Sequence, residues 1–245
     1  AHGAAGSRRC RSSSNGQSPT WRIPLSASSM RIAPTATRGW PPSDRASVLH
    51  ARARAALGLD RPVVMGCSIG GRAVLHLALQ YGASFRAAIG LQSAIYADPG
   101  ANPALRDLEL IHRPDVHGGD VSAAFVSCLI SPTSPQADRW ETLWHYSQSG
   151  PGVFMGDLVY YMADGDMRNL DLSPLKAQQC PLYLLTGEYD LSATPALTAD
   201  LAKKVNATHF EVMPGLGHFP MSEAPERFLS HLGPVLRKIS EGAAA

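Results

Sequence analysis

The chain has 245 residues, 44% of them hydrophobic, enough to bury a substantial core in one large domain or two small ones. Its 22 Lys and Arg against 20 Asp and Glu leave a formal net charge of +2, a total that hides an asymmetry between a basic first 60 residues and an acidic remainder. No run approaches the roughly 18 apolar residues of a membrane helix, and no basic-then-apolar leader opens the sequence. Cys10, Cys67, Cys128 and Cys180 are scattered without a C-x-x-C pair, so neither a zinc site nor a disulfide framework is expected and a reducing cytoplasmic setting suits the chain.

Residues 1–7 read as a Gly-rich loop, although no strand precedes it. From 8 to 54 the text is rich in Ser, Arg and Pro and follows neither period 2 nor period 3.6, so poor order is expected, with a short strand at Met30–Ala33 and a helix at Ser43–Leu57 stopped by Gly58. This segment is also basic, with nine Arg against Asp44 and Asp60 up to residue 60. No amphipathic period organises these charges into a nucleic-acid or membrane arm.

From Leu59 apolar runs alternate with helical patterns, as in βα units of a parallel sheet. Strands are expected at Arg61–Met65, Ala87–Leu91, Pro181–Leu185 and Phe210–Met213. Helices are expected at Gly70–Tyr81, closed by Gly82, at Pro195–Val205, and at Ala224–Ile239 with Leu229, Leu232, Val235, Leu236 and Ile239 along one side. Between about Asp98 and Leu172 the alternation lapses. A structureless loop of that length is implausible in a compact domain, so a mostly helical lid is expected over the sheet edge. The resulting fold class is α/β, a mostly parallel sheet flanked by helices. Residues 59–97 and 173–245 form its core, 98–172 its lid, and 1–58 an atypical, irregular segment, in which the resemblance described below implies that the N-terminal strands are absent.

The strand ending at Met65 runs into Gly66-Cys67-Ser68-Ile69-Gly70, a G-x-S-x-G turn that opens a helix. Small residues at Gly66 and Gly70 let the chain reverse, lifting the Ser68 hydroxyl above the sheet edge beside the Ile69 amide. A serine nucleophile needs a base and an acid that orients the base. Asp190 follows the strand Tyr183-Leu184-Leu185-Thr186-Gly187 and is preferred over Glu188 because it lies further past the strand end. His218 lies in the Gly-rich loop after Met213. The order Ser, Asp, His is the one a nucleophile elbow requires.

Gly-Cys-Ser-Ile-Gly-Gly, Leu-Leu-Thr-Gly-Glu-Tyr-Asp and Gly-His-Phe-Pro-Met-Ser-Glu-Ala-Pro-Glu-Arg-Phe resemble the α/β-hydrolase superfamily, in its lid-bearing serine esterase and carbon-carbon hydrolase group. The resemblance covers residues 59–245 and implies Ser68 as nucleophile, Asp190 as orienting acid and His218 as base. It further implies that His2-Gly3 is the His-Gly loop of that group, making Ala4 the second oxyanion donor beside Ile69. The text from 8 to 54 has the group's spacing but a foreign composition, as a segment translated in a shifted frame would; the coding DNA tests this.

Other groups receive plainer readings. Cys67 is expected to be a buried, inert thiol. His76 and His209 are expected to be structural or exposed. His112, Asp115, His117 and Asp120 resemble loose metal-ligand spacing, but a surface loop is the better reading and no metal is expected. Trp140, Trp144 and Tyr161 suit the lid core, and Trp144, Tyr161 and Phe219 are the expected substrate-lining side chains. The function expected is hydrolysis of a carboxylic ester of a small or medium apolar substrate through an acyl-enzyme, without a cofactor. The alternatives are carbon-carbon hydrolysis of a diketone-type substrate and an impaired binding protein on the same fold. The expected partner is a small-molecule ester, with no nucleic acid and no membrane, and a homodimer is left open.

Overall fold

The computed structural model describes residues 52–97, 119–149, 151–162, 165–177 and 179–242. Met30–Ala33, the start of the Ser43–Leu57 helix, His2-Gly3, Ala4, His112, Asp115 and His117 lie outside the described residues. What remains of that helix, 52–57, ends where expected: Gly58 has φ +62°, and its amide returns to Ala55 O at 3.2 Å.

Four described strands, β1 (Val63–Cys67), β2 (Ala87–Leu91), β3 (Leu182–Gly187) and β4 (His209–Met213), form a parallel sheet in the order β1-β2-β3-β4. The register pairs Val63 with Ala87, Ala88 with Leu182 and Tyr183 with His209. β1 and β3 end two residues later than the sequence pattern indicated, because the strands continue through Gly66-Cys67 and Thr186-Gly187 to the turns themselves. Parallel order puts every carboxyl end at one edge, so the segments after all four strands meet there.

The two central strands, β2 and β3, are buried on both faces, with side chains alternating between them. Ala88, Leu182 and Leu184 face α1 (Ile69–Tyr81), with its Val74, Leu75 and Ala78 in the same apolar cluster; Leu201 and Val205 join it. Ile89, Leu91, Tyr183 and Leu185 cluster with Met213 and Leu216 on the other face. Between β2 and β3 the chain forms α2 (Asp120–Ser127), α3 (Gln136–Ser147), α4 (Pro151–Met162) and the short α5 (Ser173–Lys176), helices as the lapse in alternation implied. Then come α6 (Pro195–Val205), α7 (Pro220–Glu223) and α8 (Pro225–Glu241).

One sequence expectation is corrected here. On α8 the buried row is Phe228, Leu232, Val235 and Ile239, spaced four, three and four, whereas Leu229 and Leu236 face solvent. Gly82 closes α1 as expected, as the residue that follows Tyr81. It has φ −49° and starts a 3-10 turn, Gly82–Ser84, where a Cβ would press on Gln179 and Cys180 at 3.1 and 3.3 Å. No described helix is long and apolar enough to cross a membrane.

Candidate active site

Ser68 sits between β1 and α1 with φ +57° and ψ −116°, a conformation that L residues adopt only under constraint. Its amide donates to Leu91 O at 2.9 Å, tying the turn to the end of β2. The small residues that permit this are Gly66 and Gly71. A Cβ on Gly66 would lie 2.2 Å from Gly70 O, and one on Gly71 would lie 2.1 Å from Ser93 Oγ and 2.6 Å from Leu91 O. Gly70, the second small residue assigned from the motif, has open space beside it. Its contribution is the carbonyl against which Gly66 packs.

The Ser68 side chain does not cap α1. It points to His218, with Oγ 2.7 Å from Nε2, while His218 Nδ1 lies 2.8 Å from Asp190 Oδ1. The carboxylate beside Nδ1 places the ring proton there and leaves Nε2 as acceptor for the Ser68 hydroxyl. Asp190 is held in turn, since its Oδ1 accepts from the amides of Ser192 at 2.8 Å and Ala193 at 3.1 Å. Glu188 is occupied elsewhere, accepting from the Gly215 amide at 2.9 Å. The Ile69 amide is the first donor of α1 and has no intrahelical acceptor.

Two side chains that the sequence did not single out fix this arrangement. Gln92, buried just past β2 with φ +50°, accepts from Gly187 N through Oε1 at 2.8 Å and donates to Gly217 O through Nε2 at 3.0 Å. It thereby spans the arm that carries Asp190 and the arm that carries His218. Glu223, fully buried, accepts from the amides on both sides of His218: Gly217 N at 2.8 Å and Phe219 N at 3.0 Å, both to Oε1. Its Oε2 takes Ser131 N at 2.6 Å and Ser134 Oγ at 3.1 Å, from the segment between α2 and α3. The His218 amide itself donates to Leu129 O at 2.9 Å. A carboxylate after a Gly-His loop hints at such a role, but only the fold brings residues 131 and 134 to it.

Of the expected lining residues, Tyr161 and Phe219 are at the site. Tyr161 OH lies 2.7 Å from Ser68 Oγ, and the Phe219 ring meets His218 edge-on with centroids 4.8 Å apart. Trp144 is not there. It is 64% exposed on the outer side of α3, whose inward residues are Thr142, Leu143 and Tyr146. Tyr146 takes its place, its ring 5.3 Å from Phe219, and burial pushes its phenol up to about 12.

Burial likewise holds the Cys67 thiol far above its ordinary range, with Asp190 and Glu223 adding to the effect, and Sγ donates to His218 O at 3.4 Å. Over its whole surface Cys67 is half-buried rather than fully buried. His209 pairs with Glu211 at 3.2 Å, and Asp120 is an exposed first-turn residue of α2. No group of three or more metal-binding side chains occurs among the described residues.

Solved structures of similar fold include an esterase from Thermogutta terrifontis, 23% identical with TM-score 0.60, covering 78% of this chain and 70% of that one. A carboxylesterase from Nitrososphaera gargenis is 16% identical with TM-score 0.62, covering 84% and 76%, and the enol-lactonase from Burkholderia xenovorans is 20% identical with TM-score 0.54, covering 78% and 70%. At these identities the likeness concerns the fold. No curated protein sequence matches the chain. The family model described as Alpha/beta hydrolase family, however, matches residues 1–231, most of the chain's length, and the chain therefore belongs to the alpha/beta hydrolase family.

Proposed function

We propose that the chain is a serine hydrolase that cleaves a carboxylic ester of a small or medium apolar substrate through an acyl-enzyme. The supporting observation is the relay from Ser68 Oγ to His218 Nε2 at 2.7 Å and from Nδ1 to Asp190 at 2.8 Å, on a turn that leaves the Ile69 amide unpaired within its helix. As Ser68 Oγ bonds to the substrate carbonyl carbon, His218 takes the hydroxyl proton and the Ile69 amide donates to the oxyanion. Collapse expels the alkoxide, which receives that proton from His218. Water, deprotonated by His218, then attacks the acyl carbon and restores Ser68.

In this reading the helices between β2 and β3 act as a lid. Phe219, Tyr146 and Phe154 form a chain of ring contacts leading away from His218, with centroids 5.3 and 6.2 Å apart, a lining suited to an apolar acyl group.

The test is turnover of p-nitrophenyl butyrate by the wild-type chain and by Ser68→Ala. Loss of Ser68 should lower kcat by about 10⁴-fold or more. Ester turnover that survives Ser68→Ala would refute the assignment, as would hydrolysis of a diketone-type carbon-carbon substrate with none of esters.

A further inference from the structure

Building on the serine-hydrolase reading, we infer that Tyr161 is a further catalytic residue: its hydroxyl, carried on α4, donates a hydrogen bond to the oxygen that gains charge when Ser68 attacks. The geometry is direct. Tyr161 OH and His218 Nε2 both lie 2.7 Å from Ser68 Oγ, on a serine that has one proton to give. With Nδ1 of His218 protonated beside Asp190, the serine proton goes to Nε2 and the Tyr161 hydroxyl is the donor toward Oγ. Burial keeps that phenol protonated across the working pH range, so it acts as a donor and takes no part in proton transfer.

Once Oγ bonds to the carbonyl carbon it becomes an ester-type oxygen, a poor acceptor. The oxyanion and the leaving oxygen are attached to the same carbon, one O–C–O angle away from Oγ. The Tyr161 hydrogen bond therefore passes from a neutral hydroxyl in the ground state to a charged oxygen in the transition state. An interaction that strengthens along the reaction lowers the barrier, whereas one equally strong throughout does not.

The ring is held for this task from outside the substrate pocket. Arg72, buried one turn after Ser68, stacks its guanidinium 5.4 Å from the Tyr161 centroid, and its amide donates to Ser68 O at 2.9 Å. Its Nη1 also donates to Gly165 O, just past α4. A cation over the ring face draws electron density from the phenol and makes the hydroxyl a stronger donor. On the other side Tyr161 packs against Leu158, with Phe125 and Phe154 in the same cluster.

The experiment compares wild type, Tyr161→Phe and Ser68→Ala with p-nitrophenyl butyrate and with a fluorophosphonate, which forms a tetrahedral adduct on an assembled serine site. Tyr161→Phe should keep its thermal midpoint and its KM but lose about 10²-fold in kcat, as for removal of one oxyanion donor. Its phosphonylation rate should fall in parallel. Equal or higher kcat in Tyr161→Phe would overturn the inference, because the ring would then only plug the nucleophile. If Tyr161→Phe does not fold, difluorotyrosine at 161 serves instead: it preserves the ring and strengthens the donor, so kcat should rise, and an unchanged or lower kcat counts against the role. Wild type that neither turns over esters nor labels at Ser68 refutes the hydrolase reading itself and the Tyr161 role with it, whereas Ser68-dependent labelling with an unaffected Tyr161→Phe refutes Tyr161 alone.

Discussion

Replacing Glu223 by Gln tests whether one buried carboxylate holds the base in place. Glu223 is fully buried and accepts four hydrogen bonds, from Gly217 N, Phe219 N, Ser131 N and Ser134 Oγ, over 2.6 to 3.1 Å. In Glu223→Gln one oxygen survives and the other becomes an NH₂ group. Turned toward Ser131 and Ser134, the NH₂ can be accommodated by rotating the Ser134 hydroxyl, but the Ser131 amide loses its acceptor. Turned the other way, it orphans both amides beside His218. At least one buried N–H is left unpaired and the remaining bonds lose their charge assistance, so the expected loss is about 3–4 kcal/mol. In a chain of this size that lowers the thermal midpoint by about 6–16 °C. Since the same bonds fix the backbone on both sides of His218, kcat should fall more than KM rises, by about 10²-fold for a shift near 1 Å. Differential scanning calorimetry and ester kinetics read the two effects. A midpoint within about 2 °C of wild type together with unchanged kcat would refute the reasoning.

Gly71→Ala should destabilise by about 3 kcal/mol, because its Cβ meets Leu91 O and Ser93 Oγ at 2.6 and 2.1 Å, while Gly70→Ala should change stability by less than about 1 kcal/mol because its Cβ meets open space. Equal thermal midpoints for the two variants would contradict this account of the turn. Burial raises the Asp157 carboxyl above its ordinary range, so its ionisation costs stability above its folded pKa and costs nothing below the unfolded value of about 3.9. Asp157→Asn should therefore raise the midpoint at neutral pH and leave it unchanged near about pH 3.5, and a gain of equal size at both would count against the assignment.

What could be read from the sequence was local. Each of Ser68, Asp190 and His218 follows an apolar strand through a Gly-containing turn, and parallel order then brings the three turns to one edge regardless of what lies between. The central strands β2 and β3 were legible because both faces are covered, giving short uninterrupted apolar runs such as Leu182–Leu185. Where reading failed, two faces of one helix competed. Leu229 and Leu236 are apolar at helical spacing, as are Phe228, Leu232 and Val235, and only packing against Leu185 and Met213 decides which row goes inside. Trp140 and Trp144 form a similar one-sided pair that the fold turns outward. Gln92, the reach of Glu223 to Ser131 and Ser134, and the contact between Tyr161 and Ser68 were illegible for another reason: the partners are 89 to 125 residues apart, and no periodicity encodes such a meeting.

Gln92 has a consequence for how the chain tolerates change. One amide side chain just past β2 bridges the acid arm and the base arm, reaching Gly187 on one side and Gly217 on the other, and the backbone bonds from Glu188 N to Met213 O and from Tyr189 N to Leu216 O join the same arms. None of these bonds involves α6 or the turn after it. Insertions or deletions in the turn after α6 can thus accumulate without breaking these bonds, whereas shortening Gln92 to Asn, a change of one methylene, removes the side-chain bridge between the arms.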